Sequence, residues 1–226
     1  MVGSPATARW ATFDCYGTLI DWNAGIGWEL ARLFGAEVAP RLLHLYHELE
    51  PQVQSEHPQR SYREVLDLTL ARLADRDGLR LDPAEQGALA RSLPGWPVFP
   101  EVRQALADLR ARGWRLAILS NTDRDLVETS MQQLGAEFEL SIVASEIGSY
   151  KPSPLHWEVF LARSTAGRDR HVHVAASLFH DVAPAVALGI PTVWINRLGE
   201  KPQPQPTVEL RDLAPLAGTL DQLVAA

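Results

Sequence analysis

Residues 10–19 read W-A-T-F-D-C-Y-G-T-L, an apolar run that stops at Asp14 and turns at once through Gly17 and Thr18. A short apolar run closed by a glycine turn is the pattern of a buried strand. In an open sheet of parallel strands, ligands bind beyond the carboxyl ends, so a strand running into an acid presents that acid to a ligand. A carboxylate in that position can act as a nucleophile. The fold then depends on whether further strands follow in the same sense.

For some seventy residues none does. Residues 23–34 place Ile26, Leu30, Leu33 and Phe34 on one helical face before Gly35, and residues 40–53 carry Leu42, Leu45, Tyr46 and Leu49. Ser61 and Glu64 form a capping box ahead of Val65, Leu66, Leu70 and Leu73, and Asp82-Pro83 with Glu85 predicts one more helix. The run P-G-W-P-V-F-P at 94–100 is too rich in proline to continue a helix and reads as a hinge. Beyond it the pattern changes: helices from about Glu101, Arg124, Pro154 and Val182 alternate with apolar runs at 115–119, 141–144, 171–175 and 192–195. Alternation of this kind predicts an α/β fold, a Rossmann-like parallel sheet of about five strands with helices on both faces. Residues 1–20 and 94–226 are expected to form that core and 21–93 an inserted helical cap.

With 46% hydrophobic residues among 226, the chain has ample material for a core, which excludes complete disorder. The formal net charge of -7 and the lack of a basic run argue against a nucleic-acid partner. No apolar stretch approaches the ~20 residues that span a bilayer, and M-V-G-S-P-A-T-A-R lacks the apolar centre of a secretory signal, so no membrane partner and a cytoplasmic location are expected. The single cysteine, Cys15, reads as a small apolar strand-end residue pointing away from Asp14 rather than as a reactive thiol. K-P-Q-P-Q-P at 201–206 reads as an extended surface loop.

Three more strand ends carry polar groups. L-S-N-T-D brings Ser120 and Asn121 to the end of the second strand, where a hydroxyl and an amide suit an anion. G-S-Y-K-P-S-P brings Lys151, and H-V-H-V-A-A-S-L-F-H-D ends in Ser177, His180 and Asp181. By itself a lone lysine in a loop is usually a solvated charge. His171 and His173 share one face of their strand, and with His180 and Asp181 they invite a transition-metal reading; satisfied strand polar residues are the simpler one.

D-C-Y-G-T-L, L-S-N, K-P and the terminal Asp181 together resemble the haloacid dehalogenase superfamily. Its phosphatases place a second acid two residues after the nucleophile and read G-D-S-x-x-x-D at the fourth strand end, with magnesium. Here Tyr16 replaces that acid, and Ala175 and Ala176 replace the Gly and first Asp, leaving few hard oxygen ligands. The D-x-Y-G-T-L form is similar to the L-2-haloacid dehalogenase branch, whose halide leaves unprotonated. That resemblance implies Asp14 as nucleophile, Thr18 as support for its loop, Ser120 and Asn121 as carboxylate holders, Lys151 as the positive charge, Asp181 as an aid to water activation, and no metal or cofactor.

Three positions depart from the branch. His47 stands nearest to its cap arginine, Trp157 where a tyrosine often follows K-P, and Ala176 and Leu178 where Ser and Asn are common. Candidate donors around a halide are therefore His47, Tyr46, Trp157 and His180, with Tyr16 and Ser177 also substrate-facing; Arg60 or Arg63 are cations that could reach in, although a solvated cap surface is the simpler role for both. The expected activity is hydrolytic dehalogenation of short 2-haloalkanoic acids, haloacetates and conceivably fluoroacetate, through an aspartyl ester. The alternatives are a magnesium-dependent small-molecule phosphatase and a non-catalytic member binding a carboxylate or a protein. A homodimer through the cap helices is a further expectation.

Overall fold

Strand β1 (Trp10–Phe13) takes the centre of the sheet, pairing in parallel with β2 (Arg115–Ser120) on one side and β4 (His171–Ala175) on the other. The computed structural model describes residues 8–225. The stretch before Ala8, most of the segment read for a signal, lies outside them. With β3 (Leu140–Val143), β5 (Thr192–Ile195) and β6 (Val208–Leu210), the order is β3-β2-β1-β4-β5-β6, all parallel. The chain walks outward from β1 to β3 and then crosses back to β4, so its connections diverge between the ends of β1 and β4. That divergence opens a crevice, the usual ligand position in such sheets.

Alternating strand residues face two cores. Ala11, Phe13, Leu116, Ile118, Val172, Val174, Val193 and Ile195 pack with α5 (Val102–Ala111), α6 (Arg124–Leu134) and α10 (Leu216–Leu223). Trp10, Ala117, Leu119 and Ile142 face α8 (Leu155–Ser164) and α9 (Ala183–Ala187). Both faces are covered, as a parallel sheet requires. The short α7 (Ala144–Ile147) follows β3 directly.

The sheet has six strands where the sequence predicted five. Val208–Leu210 is a three-residue edge strand just after K-P-Q-P-Q-P, too short for alternation to register, and 201–206 forms its connection to β5. The helix expected from Asp82 is also corrected: Pro83–Glu85 makes one tight turn, and α4 (Ala88–Ser92) starts only after Gly87. Gly87 sits at φ 80, and its N–H donates to Asp67, a geometry that stops any continuous helix.

Between β1 and β2 lie α1 (Trp22–Phe34), α2 (Ala39–Glu56), α3 (Tyr62–Arg76) and α4, packed on one another. The Ser61–Glu64 capping box forms as the sequence predicts. The segments entering and leaving this unit are joined: Ile20 bridges Val98, Asp21 N–H donates to Pro97 O at 2.7 Å, and Phe99 N–H to Leu19 O at 3.1 Å. Trp96, from the proline-rich run, is 1% exposed and packs edge-on against Tyr16. No helix among the described residues is long and apolar enough to cross a membrane.

Gly25 lies flat against Trp96, and a Cβ there would sit 2.2 Å from the indole. Gly25→Ala therefore forces this seam apart, with an expected cost of about 1–3 kcal/mol in urea unfolding, despite alanine's better helix propensity.

Candidate active site

The turn after β1 is held by its own backbone. Cys15 O accepts from Leu19 N–H (2.8 Å) and Ile20 N–H (3.0 Å), with Gly17 at φ 90. A residue with a Cβ is strained there, which accounts for glycine at this point. The turn leaves Asp14 at the crevice, 7% exposed, with Cys15 fully buried on the other side and its thiol pushed up by burial. Cys15 is thus an inert packing residue, as expected.

Both Asp14 oxygens are held. Thr18 Oγ1 donates to Oδ2 at 2.8 Å and accepts from Ala176 N–H at 2.9 Å, tying the β1 turn to the end of β4. Lys151 Nζ donates to Asp14 Oδ1 at 2.9 Å, to Asp181 Oδ1 at 2.6 Å and to Leu119 O at 2.8 Å. An ammonium has three N–H donors, and all three are spent within the protein. Lys151, 2% exposed, thus contributes charge rather than a free donor.

Asp181 comes from a wide helical turn at Leu178–Val182, where Val182 N–H reaches back five residues to Ser177 O. Such turns recur at functional sites because they re-aim one side chain. Asp181 Oδ1 also meets His173 Nε2 at 3.0 Å. Thr12 Oγ1 lies 2.8 Å from His173 Nδ1 and 2.6 Å from His171 Nε2. If His173 donates to Asp181 through Nε2, its Nδ1 accepts from Thr12, and Thr12 accepts from His171 Nε2–H. This ordering leaves His171 Nδ1 as a bare acceptor, and that atom is the one found without a partner. The two strand histidines buttress Asp181; among the described residues no group of three or more His, Cys, Asp and Glu is placed to hold a metal.

One buried ammonium thus faces two carboxylates. Burial raises the Asp14 pKa, Lys151 opposes the rise, and the Asp181 charge adds to it. For Asp181 burial also penalises the charge, yet Lys151 and His173 overcome it and hold the carboxyl well below its usual range. Lys151 stays protonated because its two partners outweigh its own burial.

A cavity of about 720 Å³ opens above this cluster, between the strand ends and helices α1 and α2. Asp14, Tyr16, Ser120, Asn121, Lys151, Ser177, His180, Asp181 and His47 all line it, so nine of the expected residues meet there. Two were assigned other work by the structure. Asn121 closes on the Lys151 backbone, accepting from its N–H at 2.6 Å and donating to its C=O at 3.0 Å, so its amide is not free for a carboxylate. Tyr16 is bound to Ser130 Oγ at 3.0 Å. Ser120 keeps an unbonded hydroxyl among the described residues, while burial pushes His180 down to about 4, leaving it neutral at neutral pH.

Trp157 is corrected. It is fully buried beneath the sheet with its ring 5.1 Å from His173, so it supports that imidazole and does not line the cavity. Tyr46 packs behind Trp22 and is likewise outside it. Arg60 and Arg63 are spent on Glu64 and Asp125 at the surface.

Several contributors had no motif. Glu50 and Gln54 line the roof from α2; their only sequence signal is that both are polar on the buried stripe of Tyr46, Leu49 and Val53. Asp123, from the same L-S-N-T-D run, accepts from Tyr62 N–H (2.9 Å) and Arg63 N–H (3.0 Å), docking the start of α3 on the core. Arg197 follows β5, reaches Thr18 O at 2.9 Å and Glu101 at 2.7 Å, and covers the Phe99 ring.

The model of the haloacid dehalogenase-like hydrolase family matches residues 8–189. The haloacetate dehalogenase H-2 of Moraxella sp. (strain B) is 40% identical over 103 residues, covering 45% of this chain and 46% of that enzyme. The (S)-2-haloacid dehalogenase of Pseudomonas sp. (strain YL) is 29% identical over 197 residues, covering 83% of this chain and 82% of its own. The L-2-haloacid dehalogenase structure from Xanthobacter autotrophicus superposes with a TM-score of 0.83 at 18% identity, over 94% of this chain and 98% of that one. The match to that family model covers most of the chain, and the six-stranded parallel sheet with Asp14 at its switch point is in keeping with it: this chain belongs to the haloacid dehalogenase-like hydrolases.

Proposed function

We propose that the protein hydrolyses the carbon–halogen bond of short 2-haloalkanoic acids, haloacetates among them, through an ester on Asp14. The observation that carries the reading is the pairing of a buried Asp14 with Lys151 where no second acid stands two residues on: Tyr16 occupies that place and is bound to Ser130. A halide leaves as an anion and needs no proton; an alkoxide leaving from a phosphate ester does. The donor set also suits magnesium poorly, because the two carboxylates at the centre, Asp14 and Asp181, both already hold the Lys151 ammonium. The relatives named as haloacid dehalogenases support the same reading.

A carboxylate oxygen of Asp14 attacks C2 opposite the halogen; the C–X electron pair departs with the halide, and an alkyl ester forms. Residues 21–93, as a cap over the core of 1–20 and 94–226, exclude bulk water, which keeps the carboxylate weakly solvated and reactive. Water then adds to the aspartyl carbonyl; the aspartyl C–O bond breaks, the departing oxygen takes one water proton and leaves as the 2-hydroxy acid, and the other proton is lost to solvent as the Asp14 carboxylate is regenerated. Lys151, already on Asp14 Oδ1, faces the oxyanion that develops there. Asp181 is too acidic to be a strong base, so its unbonded oxygen orients the water. Ser120, Ser177 and His180 line the cavity as neutral donors.

Halide release from chloroacetate and 2-chloropropionate is expected with and without EDTA, and Asp14→Asn should reduce it to background; phosphate release that EDTA abolishes would overturn the assignment. After one turnover in ¹⁸O-water, mass spectrometry should find label in Asp14.

Attack needs Asp14 ionised, and its pKa lies above the ordinary 3.8. Activity should therefore fall with decreasing pH at a midpoint above that value, and Thr18→Val, which removes a lowering hydrogen bond, should move the midpoint higher still. Lys151→Met leaves two buried carboxylates uncompensated and is expected to cost about 3–5 kcal/mol in urea unfolding at neutral pH.

A further inference from the structure

Glu50 is 4% exposed and lines the cavity from α2. One of its oxygens accepts from Gln54 Nε2; the other has no hydrogen-bond partner among the described residues. Gln54 in turn accepts from Asn121 Nδ2 at 3.3 Å, and Asn121 accepts from Lys151 N–H. The donors run one way, from the lysine loop to α2, and the chain stops at the carboxyl of Glu50, a residue that lines the cavity. A carboxylic acid there continues the chain with its O–H.

The surroundings favour the acid form. Burial pushes Glu50 up to about 7, opposed only by the Gln54 hydrogen bond. Tyr46 and Tyr62 beside it have phenols raised by burial first and by the Glu50 charge second; burial, Asp123 and Glu50 raise Tyr150 from the lysine loop. His47, one turn back, is lowered by burial and by His44, hence neutral at neutral pH. Across the cavity stand Asp14, Asp181, Asp21 and Glu200, with Lys151 and Arg197 as the lining cations, each already paired to a carboxylate. An anion entering this space meets no unpaired cation among the described residues, and an ionised Glu50 would repel it. Neutral donors must hold it.

We propose that Glu50, as the undissociated acid, donates a hydrogen bond to the small monoanion in the cavity and thereby sets its specificity and the alkaline limit of binding. The proposal rests on the anionic-substrate reading above. It assigns the cap a protonated carboxyl as an anion donor, a role carboxylic acids take in apolar sites.

Propionate and bromide, which cannot be turned over, probe the two ends of a 2-haloacid. Their affinity for the intact chain is measured by calorimetry between about pH 6 and about pH 8.5, where a group titrating near neutrality loses most of its proton. For at least one of the two anions, affinity should fall about tenfold or more across that range. Glu50→Gln keeps an N–H donor and cannot titrate, so its low-pH affinity should match within about threefold and stay flat. The melting temperature supplies an independent readout. A pKa raised on folding contributes stability that is lost as pH rises from the unfolded value of 4.5 to about 7, so Glu50→Gln should gain on the wild type over that window. Equal pH slopes in both proteins, or no binding of either anion at low pH, overturn the proposal. Absent halide release with the Glu50-dependent slope intact would remove the dehalogenase reading and leave the anion site; halide release with equal slopes would do the reverse.

Discussion

A single buried ammonium holds two carboxylates from different strands, and the crevice is organised around that contact. Lys151 bonds Asp14 from β1, Asp181 from the turn after β4, and the Leu119 carbonyl of β2. Three strand ends are therefore fixed by one nitrogen. Burying such charges costs several kcal/mol per ion, so the arrangement is tolerable only with every donor satisfied and the geometry over-determined. The rest of the site supplies that: Asn121 clamps the lysine backbone from both sides, Thr18 ties Asp14 to Ala176, and a Thr12–His173 relay backs Asp181.

The same cluster carries an excess negative charge, which shapes the chemistry. Burial raises Asp14 first and the Asp181 charge adds to it; in the proposed reaction, an attack that turns Asp14 into an ester relieves that repulsion and moves the charge to the departing halide. The Lys151–Asp181 pair left behind is neutral overall. Ground-state crowding of like charges is thus released as the bond forms, and interactions that improve along the reaction are the ones that accelerate it. The second step then restores a negative oxygen beside the same ammonium.

The fold was legible wherever apolar periodicity ran for four residues or more and a turn residue closed it: β1 to β5, the capping box at Ser61 and helices α1 to α3 follow from local pattern, whereas the helix expected from Asp82 did not form. The edge strand at 208–210 escaped because three residues after a proline run carry no period. Of the site, Asp14 and Ser120 were readable because they stand at the ends of strands, and Lys151 and Asp181 because they lie in the connections beyond two others; parallel topology sends all of these to one place. Trp157 was misplaced because a helix presents two faces, and sequence proximity to Lys151 does not say which one meets the cavity. His173, Glu50 and Gln54 were not readable as site residues, since their roles come from contacts at long sequence separation. A buried glutamate on an apolar stripe was the one trace they left.

That trace connects α2 to the lysine paired with Asp14. The hydrogen-bond chain from the Lys151 backbone through Asn121 and Gln54 to Glu50 requires α2 to sit directly over the end of β2. Asp123 adds a second tie from the same loop by capping α3, so both cap helices that face the site are registered against the strand end that supplies Ser120 and Asn121. The roof is therefore tied to the loop after β2, which also clamps the Lys151 backbone. A change in that loop moves both the counter-charge of Asp14 and the polar groups of α2 that line the cavity, and for that reason the two halves of the site cannot be tuned independently.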